Sequence, residues 1–443
     1  MDAFFTKYQI YIAAIISVFA YLVLGYFFER EQFYLLVFLY TLAFVGLISL
    51  LQTPEYEKTF FKIGILYRVL FLFSTPALSQ DFYRFIWDGN AILNEINPFI
   101  NKPNEIINTI VTFPNANYLL EKMGSLSASH FSNYPPINQL LFVIAAFIGG
   151  KSILVSTIVL RIIIILADIG IYYYGRKILT YFNKNTENIF WYFLNPLVII
   201  ELTGNLHFEG VMLFFFVFGL YQLLAKKWII AAIFIAISIA VKLLPLLLLP
   251  LFLKYLGFKK SVLFYSLIIG LNVLFFLPFL NATLVNNYVE TISLWFTNFE
   301  FNASIYYLVR EVGFYVKGYN IIHTVGKITP IITLAIVLFF ALVKKNKSVE
   351  AIATNALMII TLYLFISTTV HPWYVINLVL LSVFTNYKFP IVWSFVIIMS
   401  YYAYSVFPFK ENVMLLIAEY SIVYLIFFYE IRKNAVLKWN DGR

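Results

Sequence analysis

The stretch SQDFYRFIWDG, Ser79 to Gly89, holds two carboxylates and a guanidinium at the mouth of a hydrophobic segment. If the residues from 80 to 95 are helical, Asp81, Arg84 and Asp88 share one face through spacings of three and four. Phe82, Phe85, Ile86 and Leu93 lie on another. The expectation is an amphipathic helix in a membrane interface, charges toward water and aromatics toward lipid. The spacing alone also fits a solvated face with two local ion pairs.

Other stretches carry groups able to do chemistry. NPLVIIELTGNLHFEG, Asn195 to Gly210, places Glu201, Asn205, His207 and Glu209 between two short apolar runs. Ionisable groups at membrane depth are costly and mark function by default. The H-x-E pair His207 and Glu209 is a weak metal signal by itself. Lys242 in VKLLP sits inside an apolar run, where it either snorkels to the interface or meets an anion. FEFNASIYYLVR adds Glu300, Asn302 and Arg310; HPWYVI adds His371 and Trp373; NYPPINQ adds Tyr134 at a proline-led helix start. Trp373 and Tyr374 suit an interfacial aromatic belt. Arg161 and Asp168, two turns apart in one apolar helix, read as packing or pairing residues. Asn281 and Asn302 each open a sequon, a pattern that chance often produces.

The elements that must position these groups are membrane helices. Of 443 residues 62% are hydrophobic and 12% charged, against about 25% charged in soluble domains. The mean hydropathy is +0.85. Runs such as IIIIL (162–166) and LLLLPLFL (246–253) do not alternate, which excludes a β-barrel. The expected fold is all-α and polytopic, with about 12 to 14 membrane helices in a single domain over 1–443. Long outside loops are expected at 79–151 and 281–322. The N-terminal apolar run reads as a retained helix, since no A-x-A-like site follows it.

The net charge of +9 is scattered through short loops and forms no stripe, so nucleic acid is not an expected partner. With the N-terminus cytoplasmic, nineteen basic residues fall on inside connections and eight on outside ones, which favours both termini inside. All four histidines, His130, His207, His323 and His371, then lie at or just beneath the outside face. No cysteine is present, so disulfides and thiolate metal sites are excluded. No phosphate-cradling glycine loop occurs, which argues against nucleotide-driven transport.

The ordered set of D-x-Y-R-F-x-W-D-G, then Asn97-Pro98-Phe99, then Y-P-P, resembles the GT-C superfamily of polytopic glycosyltransferases. Within it, the bacterial polyprenyl-phosphate-mannose-dependent mannosyltransferases are the most similar group. The blocks NPLVIIELTGNLHFEG, VKLLPLLLLP and HPWY follow in the same order, so the similarity runs over roughly residues 60–375. The resemblance implies a helical membrane core with interfacial helices in the first outside loop. It also implies a sugar donor carried on a lipid phosphate and a lipid or glycan acceptor outside the bacterial plasma membrane. An acid of that first loop is the implied base, which by position is Asp81. The chain departs from many relatives in having two helices before the loop-bearing one. It also lacks an adjacent acidic pair, so a two-acid metal site is not favoured and no cofactor is expected.

Transfer from a lipid phosphate needs a base for the acceptor hydroxyl and cations for the departing phosphate. Asp81 is the expected base. Asp88 would orient Arg84 or touch acceptor. Arg84, Lys242, Arg310 and His371 are the cations considered for the phosphate. Trp87, Tyr134 and Trp373 are expected to stack on sugar or lipid, and Asn205, His207, Glu209, Glu300 and Asn302 to complete the substrate site. The competing expectation is a transporter or flippase of a lipid-linked sugar, which would favour paired repeats around a midplane site; no repeat is visible.

Overall fold

The computed structural model describes residues 2–53 and 56–440, without the side chains of 2–7, 295 and 436–440. Lys7, Lys438 and Arg443, which enter the charge bias, fall outside these descriptions. Sixteen principal helices can be named in chain order. They are α1 (Asp2–Tyr26), α2 (Phe33–Leu51), α3 (Glu57–Leu70), α4 (Asp81–Leu93), α5 (Pro136–Gly149), α6 (Ile153–Tyr181), α7 (Glu209–Leu224) and α8 (Trp228–Val241). Then follow α9 (Phe258–Phe276), α10 (Leu284–Thr297), α11 (Ile305–Lys317), α12 (Ile322–Leu342), α13 (Val349–Ile366), α14 (Pro372–Val383), α15 (Phe389–Val396) and α16 (Val413–Asn440). Among the described residues the only β pairing is one isolated bridge, Phe301 with Thr369.

The fold is that of a polytopic membrane protein. Seven helices are long and apolar enough to cross a bilayer, within α1, α2, α6, α9, α12, α13 and α16, and an eighth span is bent. Five shorter apolar helices, α5, α8, Leu244–Leu256, α14 and Phe389–Tyr404, occupy several of the other segments expected as membrane helices. Four of them, all but α8, are started or interrupted by proline, at Pro136, Pro245, Pro250, Pro372 and Pro390. Along α9, Val262, Leu263, Ile269, Val273 and Leu274 are exposed. A continuous apolar surface of this kind belongs against lipid.

The bent span gathers chemistry at its break. Residues Pro196–Gly204 wind into a wide helical turn, then α7 departs at 113°. The break carries Asn205, Leu206, His207 and Phe208, with Leu206 at φ +64°. A bulky residue there is a genuine outlier, a strain of about 1–3 kcal/mol that the surrounding packing must hold. Backbone freed at membrane depth is tolerated only inside protein or along a cavity.

Helix α4 departs from the amphipathic expectation. It is buried at Phe82 and from Arg84 to Ala91, Arg84 and Asp88 included. Its partner is α5, with Phe85 and Phe142 stacked at 4.5 Å between centroids and 7° between planes. A Cβ at Gly89 would lie 2.3 Å from the Phe142 carbonyl oxygen, so only glycine permits this approach. Exposed apolar stripes lie instead on α5, through Leu140, Ile144, Phe147 and Ile148, and in the second loop on α11, through Ile305, Leu308, Val312 and Tyr315, with Tyr315 92% exposed.

Buried ions hold the spans together. Arg68 Nε meets Asp168 at 2.8 Å, and the Tyr192 hydroxyl donates to the same carboxylate at 2.8 Å. Arg161 donates instead to the carbonyls of Thr203, Leu72, Ser74 and Gly204. Arg161 and Asp168 therefore do not pair with each other, and both are fully buried structural groups. At the far end from α4, Arg176 pairs with Glu57, Lys184 with Glu350, and Lys254 donates to the Leu342 and Lys344 carbonyls. The lysine-rich connections thus meet one another there.

Candidate functional site

Asp81 opens α4, where the helix N-terminus favours a negative charge. It is half-buried. Among the described residues, no side chain donates a hydrogen bond to its carboxylate and none forms an ion pair with it. Burial raises its pKa above the ordinary 3.8, Lys242 and Arg30 pull it down, and Glu209 pushes it up. A half-buried carboxylate without a side-chain partner, within the electrostatic reach of two cations, is able to accept a proton.

Around it the structure brings together Tyr134, Glu209, Lys242, His371 and the broken-span residues. Lys242 ends α8 in extended backbone and its ammonium pairs with the Glu209 carboxylate. The second Glu209 oxygen is buried without a partner. The Asn205 side-chain oxygen accepts from the Leu78 amide at 3.0 Å, and its amide reaches Glu201 at 3.4 Å. Glu201 also accepts from the Tyr401 hydroxyl at 2.6 Å. His207 Nε2 lies 3.5 Å from Glu201 Oε2.

Trp373 is sandwiched between two imidazoles. His207 stacks on one face at 3.8 Å and His371 on the other at 4.2 Å. Phe301 extends the column beyond His371 at 5.0 Å. With both its faces taken, Trp373 has none left for a sugar ring. His207 Nε2 and His371 Nδ1 are buried without hydrogen-bond partners. His130 and His323 are not part of this group: His130 caps the loop that holds Arg84, and His323 is exposed at the start of α12.

Three expected site residues lie behind Asp81 and not beside it. Arg84 donates to Asp88 at 2.6 Å and to the carbonyls of Ser127 and His130. Asp88 also accepts from Ser132 at 2.6 Å and Gln139 at 3.1 Å, and is wholly buried. Trp87 is buried edge-on against Phe113. All three are buried and Arg84 and Asp88 fix α4 to the 127–139 segment, although one Arg84 nitrogen is left without an acceptor; the expected substrate contact of Arg84, Trp87 and Asp88 gives way to a positioning role. The second expected ion pair of this stretch does not form.

Glu300, Asn302 and Arg310 form a separate group. Glu300 accepts from Arg310 at 2.7 Å, from Asn320 at 2.5 Å and from Tyr306. Burial alone would raise its pKa, but these hydrogen bonds and the Arg310 charge outweigh it and hold the acid low. Asn302, at φ +48°, takes Glu411 on its backbone amide, Glu419 on its side chain and Tyr420 on its carbonyl. These residues anchor the second loop to α16. Their neighbours Phe299 and Phe301 touch the stack at His371. Arg310 pairs with Glu300 and Glu311 in this separate group and is not among the cations whose charge reaches Asp81.

One cation of the cluster is missing from the sequence reading. Arg30 lies over the Tyr404 ring at 3.7 Å. Its Nε is buried without an acceptor, and among the described residues it makes no ion pair. Its charge acts on Asp81, Glu201 and His371. In sequence it stands between Glu29 and Glu31 and reads as a locally neutralised loop residue. Its one visible signal was its place on the same outside face as Asp81. Among the described residues, no three His, Cys, Asp or Glu side chains are grouped closely enough to hold a metal ion.

Fold and site together define a polytopic membrane protein of the GT-C type, with an open carboxylate on its first loop helix facing cations from two other elements. The chain belongs to the MptA_B family, described as alpha-(1->6)-mannopyranosyltransferase, N-terminal domain, which matches residues 15–256. That region contains Arg30, Asp81, the broken span and Lys242, but not His371 or Trp373. The chain is also 24% identical over 203 residues to alpha-(1->6)-mannopyranosyltransferase A of Mycobacterium tuberculosis (strain ATCC 25618 / H37Rv). This match covers 45% of the chain and 38% of the length of that relative.

Proposed function

We propose that the chain transfers a mannosyl unit from a polyprenyl-phosphate donor to a lipid or glycan acceptor on the extracytoplasmic face of a membrane. The observation that carries this reading is the unpartnered Asp81 carboxylate beside Arg30 and Lys242. The acceptor hydroxyl oxygen attacks the anomeric carbon as Asp81 takes its proton. The bond from that carbon to the phosphate oxygen breaks, and the electron pair leaves with the lipid phosphate. Arg30 and Lys242 meet the charge that develops there. One displacement with no enzyme nucleophile inverts the anomeric centre. Family membership supports mannose as the sugar. Support for the lipid-phosphate donor comes from the two cations near the outer ends of α1 and α8, where a lipid headgroup would lie.

The test is transfer by purified protein from radiolabelled polyprenyl-phosphate mannose to a membrane glycolipid fraction. Asp81→Asn should slow transfer by about 10²- to 10⁴-fold while the protein stays folded. The base works only when ionised, so the rate should rise with pH across a carboxyl pKa lying above 3.8. That acid limb should vanish in Asp81→Asn. Wild-type rates in the variant would sink the assignment. Labelled lipid crossing the bilayer unconsumed would favour a flippase.

A further inference from the structure

A cleft of about 350 Å³ opens on the other side of the first turn of α4. Its walls come from four elements: the non-helical stretch after α3, the start of α4, the short helix Ala116–Lys122 and the first turns of α6. Thr75, Tyr83, Asn115, Tyr118 and Thr157 supply hydroxyls and one amide, and Leu154 forms an apolar edge. None of the lining residues is charged.

The cleft is built and not incidental. Asn115 is held at φ +61° with its amide donating to the Lys151 carbonyl at 2.8 Å, which leaves its side-chain oxygen free to accept. The Ser74 carbonyl in the wall is fixed by the buried Arg161 at 3.0 Å. Tyr83 and Tyr118 stand edge to face at 5.9 Å. Ser74 and Thr75 also line a separate cavity of about 10 Å³ that touches Gly204 and Asn205. The cleft itself lies against Phe82 and Tyr83, the residues that follow Asp81 on the first turn of α4.

The chemistry of the walls selects the ligand. An anionic headgroup would find no cation among the lining side chains; the ammonium of the exposed Lys122 lies 5.8 Å from the Tyr118 ring centre. An acyl chain would strip water from hydroxyls and an amide without replacing their hydrogen bonds, which is costly. An uncharged sugar ring satisfies both demands, hydroxyls against hydroxyls and amide, and its C–H face against tyrosine. The volume lies at the low end of small-ligand pockets, about 300–1,000 Å³. We propose that this cleft is a subsite for an uncharged saccharide unit of the acceptor, one that does not itself react. The inference rests on the reading of the chain as a glycosyltransferase.

The test uses the full chain in nanodiscs, with soluble α-1,6-linked mannobiose as one probe and a lipid-anchored α-1,6-linked mannobiose in the bilayer as the other. Saturation-transfer NMR reads the first and photocrosslinking the second. Tyr118→Ala removes a ring face, and Leu154→Trp fills the cleft; both side chains are exposed, so neither change empties a core. Each should weaken saccharide binding about tenfold, the equivalent of one good contact. Binding of free mannobiose points to the sugar alone as the ligand, and binding of only the lipid form to a headgroup in the leaflet. Unchanged binding in both variants, or phosphatidylglycerol crosslinking in place of the sugar, overturns the subsite. Saccharide bound at the cleft with no transfer sinks the proposed activity and leaves the subsite standing. Transfer with unchanged acceptor KM in both variants does the reverse.

Discussion

At the scale of single residues, the two aspartates of one helix face part company. Asp88 receives three side-chain donors, and Asp81 receives none among the described residues. Burial raises the cost of an unmet charge, so an unpaired acid persists where a ligand or a reaction uses it. The same reasoning applies to Arg30. A guanidinium presents its donors in a planar fork suited to phosphate, and this one has a buried donor with no acceptor. Replacing Arg30 by Gln keeps length over the Tyr404 ring and removes the charge. Mannosyl transfer should fall about 10²-fold, as for loss of one donor to a developing oxyanion. A turnover assay at saturating donor checks this, and an unchanged rate removes Arg30 from the site. The sequence made Asp81 legible because a motif surrounds it. It hid Arg30 because Glu29 and Glu31 flank it, and only packing against Tyr404 shows that neither neutralises it.

At the scale of elements, α4 shows where pattern reading stops. Its charges and aromatics do occupy separate faces, as the spacing predicts, but Arg84 and Asp88 on one and Phe82, Phe85 and Ile86 on the other are buried. Period and spacing describe a helix surface, not what covers it. The covering comes from α5 and from Ser127 to Gln139, dozens of residues away in sequence. The exposed apolar pattern expected of the first loop is carried there by α5 and not by α4, and α11 carries it in the second loop. A consequence for stability follows. Asp88→Ala leaves the Arg84 charge buried and unpaired and should cost about 3–5 kcal/mol. Gly89→Ala, pressed against the Phe142 carbonyl, should cost about 1–3 kcal/mol. Thermal unfolding in detergent should show both as lowered Tm, while Asp81→Asn leaves Tm near that of the wild type. An Asp88→Ala protein that melts normally would contradict the positioning role.

At the scale of the molecule, the spans separate two ends with different chemistry. One end carries Asp81, Arg30, Lys242 and the histidine stack. The other carries Lys184 on Glu350 and Lys254 on the end of α12. Composition and loop charge made the polytopic class and this polarity legible. The bent span was not legible as a bend, because proline and short apolar runs look alike whether a helix stops or turns back. The chain lacks cysteine, so single cysteines report sidedness without background. Lys317→Cys and Lys345→Cys flank α12 and are both exposed. An impermeant maleimide should label the first in intact cells and the second only after lysis. The opposite pattern would invert the proposed topology.

The imidazole–indole column has a consequence for inheritance. His207 comes from the half of the chain that matches the family, and Trp373 with His371 from the half beyond that match. The column is thus a seam between two stretches of sequence free to diverge at different rates. A substitution that shifts α14 would be felt at His207, and through Glu201 at the broken span, with no change in any matched residue. Relatives that share the first half can therefore differ in how firmly that half is clasped.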